Sequence, residues 1–389
     1  MRTGPILLAV ATALSISACT SAHSATTHDS LQTALEEIQR AGVVGVFAEV
    51  RTGEQVWRGA SGVADLSTGS PVTPDMRQRV GSITKTFIAV AIMQQVEQGR
   101  IRLDAPIGDY LPELVPGERG RAITVRMLIN HTSGIPDLMP YAFPSLAGLF
   151  GGDGAVSAQS LDDNRFRVFS PAELIAMGLN APAGEPGALP GVYSNTNYFL
   201  LGQLLESVTG SPTAQYLSEN IIRPAGLEHT SLPDSPYLEG PHPKMYEGMY
   251  GVIDPPRDYS VYDMSWTMPG AGLVSTMSDL NRFYAALLAG KIVNPAALTQ
   301  MQQTVPVIAL DGQPIVYGLG LHRVQLPGCE VLWGHDGSVF GAATMTLHSP
   351  DGRRQLSVAM NSVRGNKSGA ARIENALSAF YQQALCGPE

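Results

Sequence analysis

The stretch Ser82-Ile83-Thr84-Lys85-Thr86-Phe87-Ile88-Ala89-Val90 is the most informative part of the sequence, because it combines a helical pattern with two reactive side chains. Apolar residues recur at helical spacing from Ile83 to Val96, which predicts an amphipathic helix that begins near Ser82. Side chains three residues apart on a helix share a face, so Ser82 and Lys85 would point the same way. The positive end of the helix would favour negative charge that develops beside the serine.

This pair has the chemistry of a nucleophile and its base. A serine hydroxyl attacks only when a base removes its proton, and a buried lysine with a lowered pKa can be that base. The chain has only four lysines, and Lys85 alone follows a serine at this spacing. The pattern is weak by itself, because an N-cap serine followed by an exposed lysine would look the same.

Two further stretches contain residues that could act with this pair. Tyr193-Ser194-Asn195 precedes an apolar helical pattern, and a tyrosine beside an ammonium group can relay a proton. Gly334-His335-Asp336-Gly337-Ser338 lies just before a predicted strand, where small residues let a substrate backbone run along the strand edge. Read singly, the first stretch could be a buried tyrosine with an N-cap asparagine, and the second a plain β-turn.

The order of helices and strands predicts an α/β (α+β) fold. Strands are predicted near both ends of the chain, at 42–50, 55–60, 316–324, 330–333, 339–348 and 355–361. Further helices are predicted at 123–129, 171–178, 197–208, 213–222, 278–288, 295–303 and 370–385. Because sequential strands pair as hairpins, this order predicts one mostly antiparallel sheet built from both termini. Residues 31–110 and 265–389 would form the sheet region with flanking helices, and residues 111–264 an inserted all-helical region, in which the loop 138–169 could cap a cleft.

The composition excludes several classes of protein. Hydrophobic residues make up 44% of the 389 residues, which is too many for a disordered chain. The net charge of −9 without a basic run argues against nucleic acid as a partner. Three cysteines are too few for a disulfide scaffold, and no spacing such as Cys-x-x-Cys or His-x-x-x-His points to a metal. We therefore expect no metal and no cofactor. A monomer is also expected, although no sequence feature indicates the oligomeric state.

The N-terminus predicts export. A basic start is followed by the apolar residues 5–18, which are fewer than the ~20 that a spanning helix needs and fit a signal peptide over residues 1–18. The sequence Ile16-Ser17-Ala18-Cys19 resembles the bacterial lipobox, which implies a lipid anchor on Cys19; cleavage near residues 22–25 is the alternative. Residues 19–30 would form a flexible tether. The protein would then be anchored by its lipid to the membrane, facing the periplasm or exterior, or secreted.

The two remaining cysteines, Cys329 and Cys386, are expected to pair, because an exported chain meets oxidising conditions. The disulfide would close a loop of about 58 residues and contribute roughly 4 kcal/mol to stability. Two buried free thiols are the alternative.

Taken together, the three stretches resemble a known family. Ser-x-x-Lys on a first helix, Tyr-x-Asn in mid-chain and His-x-Gly late in the chain are similar to the three boxes of the penicillin-recognising serine hydrolases. The resemblance spans residues 41–386 and is greatest for exocellular D-alanyl-D-alanine carboxypeptidases, class C β-lactamase-like proteins and related esterases. Further matches lie at 128–134, 193–197, 270–275 and 317–321. The resemblance implies the serine β-lactamase/DD-peptidase fold, whereas no Gly-x-Ser-x-Gly supports an α/β-hydrolase.

The resemblance also implies roles for individual residues. Ser82 would be the acylated nucleophile, with Lys85 or Tyr193 as its base, and Tyr193 would pass a proton to the leaving group. The backbone N–H groups of Ser82 and Ser338 would form an oxyanion hole, in which losing one donor typically costs ~10²–10³ in rate. Substrate-binding residues would be Asn195, Trp266, Arg323, His335, Asp336, Gly337 and Ser338. For Trp266, a place in the core is the alternative. Residues 131–134 are interpreted as a structural helix end, and Cys329 and Cys386 resemble a disulfide pair of the exocellular carboxypeptidases.

One departure from the family pattern concerns the substrate. Relatives that bind a free C-terminal carboxylate commonly carry Thr or Ser where Asp336 stands, and an Arg on the preceding strand, near Arg323. An ionised Asp336 in the cleft would repel such a carboxylate by about 4 kcal/mol at ~4 Å and an effective dielectric near 20. Three alternatives follow. Asp336 points away from the cleft, it pairs with Arg323, or the substrate end that it faces is not anionic.

The activity implied is that of a penicillin-binding, D-alanyl-D-alanine carboxypeptidase-like serine peptidase, which acts on peptidoglycan-derived peptides or β-lactams. A β-lactamase, an esterase or a D-amino-acid amidase of the same family is an alternative. A non-catalytic peptidoglycan or β-lactam sensor is an alternative from another class, although a pure binder has no need of the base that Lys85 or Tyr193 supplies.

Overall fold

The computed structural model describes residues 16–150, 155–363, 365 and 367–386. Most of the predicted signal peptide lies outside the described residues, and so does the side chain of Cys19. The signal peptide and the lipid anchor therefore stay predictions. Among the described residues, no helix combines the length and the hydropathy needed to span a bilayer.

The helices and strands follow in chain order. The helices are α1 (Ile16–Arg40), α2 (Thr84–Glu97), α3 (Gly117–Ala122), α4 (Val125–Ile129), α5 (Met139–Ala142), α6 (Gln159–Asn164), α7 (Pro171–Leu179), α8 (Asn195–Thr209), α9 (Thr213–Leu217), α10 (Met277–Leu288), α11 (Pro295–Met301) and α12 (Lys367–Cys386). The strands are β1 (Gly45–Thr52), β2 (Gln55–Asp65), β3 (Ser70–Pro71), β4 (Gln78–Arg79), β5 (Gly191–Val192), β6 (Tyr246–Glu247), β7 (Arg257–Asp258), β8 (Val274–Ser275), β9 (Val305–Ile308), β10 (Pro314–Tyr317), β11 (His322–Gln325), β12 (Val331–Val339), β13 (Ala342–His348), β14 (Arg354–Met360) and β15 (Ser362–Val363).

The predicted sheet built from both termini is confirmed. Ten strands lie in the order β3-β2-β1-β14-β13-β12-β11-β10-β9-β5, so the N-terminal hairpin joins the C-terminal strands through β1 and β14. The pairs along the sheet are antiparallel except β5 with β9, which is parallel. Strand β5 comes from the region predicted as all-helical, and it places the chain before Tyr193 at the sheet edge.

The sheet separates two layers of helices. Along β1, Val46 and Ala48 pack in a core cluster with residues of α1 and α12, whereas Phe47 packs in the larger cluster that contains α2 and α8. This alternation follows from the period of two in a strand, which turns successive side chains to opposite faces. The disulfide between Cys329 and Cys386 joins the β11–β12 loop to the end of α12 on the first of these layers.

Two predicted features differ in the structure. Helix α1 includes residues 19–30, where the sequence predicts a flexible tether; its packing against the core involves Leu31, Leu35 and Ile38 in the later turns. Helix α2 is not amphipathic, because eleven of its fourteen residues are buried, Lys85 among them. It lies between the sheet and the helical region, and each large apolar side chain it buries contributes about 1.5–3 kcal/mol to folding.

Candidate active site

Ser82 and Lys85 lie where the sequence predicts, at the start of the buried helix. Ser82 is in a 3-10 turn, Gly81–Ile83, that leads directly into α2. The Lys85 Nζ lies 3.0 Å from the Ser82 Oγ. Burial lowers the pKa of Lys85 to about 7, although the negative charges of Asp137 and Asp336 oppose the change. A large fraction of this lysine is therefore neutral at physiological pH and can accept a proton.

The Lys85 amine has two further partners. Its Nζ donates to Asn195 Oδ1 at 2.7 Å and to the Gly270 carbonyl at 3.1 Å. A neutral amine has two N–H donors and one lone pair. With both N–H groups directed to Asn195 and Gly270, the lone pair of neutral Lys85 faces the Ser82 hydroxyl, which is the orientation that a general base needs.

Tyr193 is held beside this pair by a histidine. It follows β5, its side chain is buried, and the Lys85 Nζ lies 5.0 Å from its ring centroid. The His131 ring stacks on the Tyr193 ring with centroids 4.0 Å apart. The His131 carbonyl accepts from the Val192 N–H at 3.0 Å, and its Nδ1 accepts from the Ser194 N–H at 3.1 Å. One histidine therefore fixes the residue on each side of the tyrosine as well as its ring.

The Tyr193 hydroxyl is chemically distinct from the lysine. Burial raises the pKa of Tyr193 well above 10, although a hydrogen-bonding interaction with Ser82 opposes the change. Tyr193 is therefore protonated over the physiological range, and its neutral hydroxyl can donate a proton but does not start as a base.

Asn195 connects Lys85 to an aspartate that the sequence analysis missed. Asn195 is the first residue of α8, and its backbone N–H and side-chain Nδ2 both donate to Asp137 Oδ2, at 2.6 and 2.8 Å. These two bonds orient the amide so that its Oδ1 faces Lys85. The amide has a second N–H, so Asn195 can still donate to a substrate carbonyl.

Residues of the third box pack directly against the serine. A Cβ on Gly81 would lie 2.5 Å from the Ser338 backbone nitrogen, and one on Gly337 would lie 2.7 Å from the Ser82 nitrogen. Both positions therefore require glycine, and the amides predicted to form the oxyanion hole are brought close together. The box lies inside β12 rather than before a strand, because the chain turns only at Phe340 and Gly341.

Asp336 does not pair with Arg323, which corrects one of the expectations. Its side chain is 53% exposed, and its Oδ1 lies 3.3 Å from the Nδ1 of His322. His322 is opposite Gly334 and Arg323 is opposite Trp333 in the β11–β12 register. His322, and not Arg323, is therefore the β11 residue whose side chain contacts Asp336.

His335 lies beside Asp336, and hydrogen bonds fix its ring in place. Its Nε2 lies 2.9 Å from the Tyr317 hydroxyl and its Nδ1 2.5 Å from the Asp336 carbonyl, so neither ring nitrogen serves Ser82. Burial keeps the pKa of His335 well below its usual range. The possible ligand atoms of His322, His335 and Asp336 lie within 4.8 Å of one another, so this group could hold a metal ion, for which the sequence gives no signal.

Trp266 is a core residue, which is the alternative to a place in the substrate cleft. Only 6% of its surface is exposed. Its ring packs against Phe340 at 4.9 Å, Phe143 at 5.2 Å and Tyr262 at 5.6 Å between centroids. An indole enclosed by three aromatic rings stabilises the chain that follows the third box and offers little surface to a ligand.

A cavity opens beside Tyr193. Its volume is about 670 Å³, which is within the usual range for small-molecule sites. Residues 134–137, Tyr141 and Val192 line one part, and residues 308–312 of the β9–β10 loop line another. Asp137 and the exposed Asp311 are its charged residues, so the cavity is largely apolar and electronegative.

These features define a site suited to a serine hydrolase, with a buried lysine of lowered pKa beside the candidate nucleophile. The chain belongs to the beta-lactamase family, whose family model matches residues 29–380. It is similar to the D-stereospecific amidohydrolase from Streptomyces sp., at 33% identity, with 90% of this chain and 98% of that chain covered and a TM-score of 0.76.

Two further proteins that resemble this chain are also named for activity on D-amino acid compounds. The D-amino acid amidase from Ochrobactrum anthropi SV3 is 25% identical, with 91% of this chain and 99% of that chain covered and a TM-score of 0.74. The D-aminopeptidase of Cereibacter sphaeroides is 27% identical over 335 residues, which cover 86% of this chain and 60% of the relative. The chain thus spans about three fifths of the length of that aminopeptidase.

Proposed function

We propose that this serine hydrolase cleaves amides or esters of D-amino acids whose leaving end carries no free carboxylate. The observation that carries the proposal is the half-exposed Asp336, which has no arginine or lysine ion pair among the described residues. By the family resemblance, this position faces the C-terminal end of a substrate, so a carboxylate there would be repelled. The preference for D-amino acids rests on the relatives named above.

In this mechanism Ser82 attacks the carbonyl carbon while neutral Lys85 takes the hydroxyl proton. The Ser82 and Ser338 amides stabilise the oxyanion, and Asn195 holds a polar group of the acyl side. The Tyr193 hydroxyl gives its proton to the leaving nitrogen or oxygen as the acyl-serine forms. Lys85 can restore that proton, because it lies between Ser82 and the Tyr193 ring. Water then attacks the ester of Ser82 and releases the D-amino acid.

A D-alanyl-D-alanine carboxypeptidase remains the second proposal. The family resemblance favours it, but Asp336 stands where relatives that bind a terminal carboxylate carry Thr or Ser, and its contact on the preceding strand is His322 rather than Arg323. A β-lactamase is compatible with the same acylation chemistry, and we expect penicillins to acylate Ser82. Export with a lipid anchor on Cys19 is part of the same proposal for a cell-wall or exterior substrate.

The test is a comparison of leaving ends in one substrate series. We would measure kcat/KM for D-phenylalanine amide, for a D-Ala-D-Ala peptide and for the C-terminal amide of that peptide, with Ser82→Ala as the control. We expect the amides to be hydrolysed at least about fivefold faster than the free acid, since the repulsion is worth at least about 1 kcal/mol. A clear preference for the free acid would establish the carboxypeptidase instead. No turnover of any of the three, with Ser82 unmodified by an activated ester, would favour the non-catalytic sensor.

A further inference from the structure

The cavity beside Tyr193 contains a carboxylate that the catalytic steps above do not use. Asp137 Oδ2 accepts both hydrogen bonds from Asn195, and Oδ1 accepts the Met139 N–H at 2.8 Å. Each carboxylate oxygen can accept two hydrogen bonds, so Oδ1 retains one acceptor site. Among the described residues, no lysine or arginine forms an ion pair with this carboxylate.

A carboxylate in this position lacks a counter-charge. Removal of a charge from water is costly unless a partner of opposite charge or several hydrogen bonds compensate. Burial raises the pKa of Asp137, whereas the hydrogen bonds from Asn195 and Met139 and the charge of Lys85 lower it. The Lys85 amine makes its own hydrogen bonds to Ser82, Asn195 and Gly270. A cation that enters the cavity from solvent would therefore find an incompletely compensated carboxylate next to the catalytic lysine.

Asp137 is positioned to bind the α-ammonium group of the proposed substrate. The carboxylate is connected to the nucleophile through three contacts, namely Asp137 to Asn195, Asn195 to Lys85, and Lys85 to Ser82. In an amino-acid amide, a single carbon separates the α-nitrogen from the carbonyl that the nucleophile attacks. A carbonyl seated at Ser82 with its acyl side toward Asn195 thus directs the α-ammonium group toward Asp137.

The rest of the cavity fits the side chain of such a substrate. Ile135, Tyr141, Leu149, Val192 and Ile308 provide apolar surface around the carboxylate. The described residues that line the cavity include no lysine, arginine or histidine that would repel an ammonium group. The site therefore combines an anion for the amine with room for a bulky apolar group.

We propose that Asp137 binds the α-ammonium group of the substrate and that the adjoining cavity accepts its apolar side chain, which makes the enzyme selective for a free N-terminal D-residue. This inference rests on the proposed function and assigns its acyl-side specificity. It is independent of Asp336, which acts on the leaving end.

The test pairs a charge-removing substitution with a charge-removing change in the substrate. We would compare Asp137→Asn with the wild-type protein on D-phenylalanine p-nitroanilide and on its N-acetyl derivative. The asparagine keeps an oxygen that can accept from Asn195 but loses the negative charge. We expect kcat/KM for the free amine to fall about 10–100-fold further than kcat/KM for the N-acetyl compound, because any disturbance of Asn195 affects both substrates and only the charge distinguishes them.

Asp311→Asn is the matched control, because Asp311 is the other carboxylate of the cavity and is exposed. We expect it to change both rates little, since exposed charges are screened. Equal losses for both substrates in Asp137→Asn would overturn the proposal and leave Asp137 as a positioning residue for Asn195. Acylation by the uncharged ester p-nitrophenyl acetate, together with the melting temperature, shows whether the variant is folded.

The wild-type protein alone separates this inference from the proposed function. If it cleaves the N-acetyl compound as fast as the free amine, the ammonium site is wrong while the amidase stands. If it cleaves neither compound nor any amide of a D-amino acid, both are wrong.

Discussion

The acylation rate should follow the titration of Lys85. This lysine is completely buried, and desolvation lowers its pKa to about 7. Lysine accepts a proton only as the neutral amine, and the neutral fraction rises with pH. If Lys85 is the base, kcat/KM for an uncharged ester should rise about tenfold per pH unit below pH 6, reach half its maximum near pH 7 and level off above; at pH 5 about 1% of the maximum should remain.

A tyrosinate base would give a different profile. Burial raises the pKa of Tyr193 well above 10, so a rate that depended on its deprotonation would still climb at pH 9. The assay is stopped-flow acylation by p-nitrophenyl acetate between pH 5 and pH 10, because this ester does not itself titrate there. A rate that still rises about tenfold per unit between pH 8 and pH 9 would refute the reasoning.

Two variants make the test sharper. Lys85→Arg keeps a cation whose pKa is above ~12, so the neutral base is lost and the rate should fall by about 10²–10⁴ at every pH. Asp336→Asn should move the midpoint to lower pH, because the negative charge of Asp336 raises the pKa of Lys85. A midpoint that moves upward in Asp336→Asn would contradict the electrostatic account.

Three further outcomes are expected. Asp336→Asn should raise the ratio of kcat/KM for a free-acid D-Ala-D-Ala peptide to kcat/KM for its amide by about 10–30-fold. The repulsion between two charges 4 Å apart is ~1–4 kcal/mol, and the half-exposed Asp336 should exert a repulsion in the lower part of that range. An unchanged ratio would argue that Asp336 does not face the leaving end. In His131→Asn, the asparagine can adopt the φ of +63° that His131 has, but the ring stacked on Tyr193 is lost. We expect kcat to fall by about tenfold with KM little changed. A lower melting temperature with normal kcat would show that the role of His131 is purely structural. Cys329→Ser should lower the free energy of unfolding by about 2–4 kcal/mol in urea titrations and leave kcat/KM at 25 °C intact, because the disulfide lies on the far layer.

The parts of the site that depend on short-range sequence spacing are predictable. Ser82 and Lys85 are three residues apart on one helix start, and their contact follows from that spacing. The mostly antiparallel sheet follows in the same way from consecutive strands that pair as hairpins. The hairpins need no knowledge of how distant parts of the chain meet, whereas the pairing of β1 with β14 joins the two ends of the chain.

The parts that depend on long-range packing were missed. Asp137 meets Asn195 across 58 positions, and no periodicity marks it; the available signal is an ionisable residue in the otherwise apolar stretch Ile135-Pro136-Asp137-Leu138-Met139. His131 is the residue that orients Tyr193, although its stretch was interpreted as a structural helix end. Its positive φ and its two backbone partners follow from the approach of β5, which the sequence does not reveal.

The wrong partner for Asp336 arose from a missed turn. The sequence predicts one strand over 316–324, whereas the structure has β10 and β11 joined by a turn, with Tyr317 opposite His322. This hairpin sets which of two adjacent side chains faces the carboxylate. His322 was therefore overlooked, and Arg323 was given its place.

The packing of α1 has a consequence for how the protein would meet a surface. Helix α1 lies with α12 on one layer of the sheet, and the nucleophile at the start of α2 belongs to the other layer. An attachment at the N-terminal end of α1 would therefore put the whole sheet between the attachment point and Ser82. If the predicted lipid anchor is present, the attachment point and the entrance to the site would thus lie on opposite faces of the sheet, and a substrate could reach Ser82 without passing between the protein and the membrane.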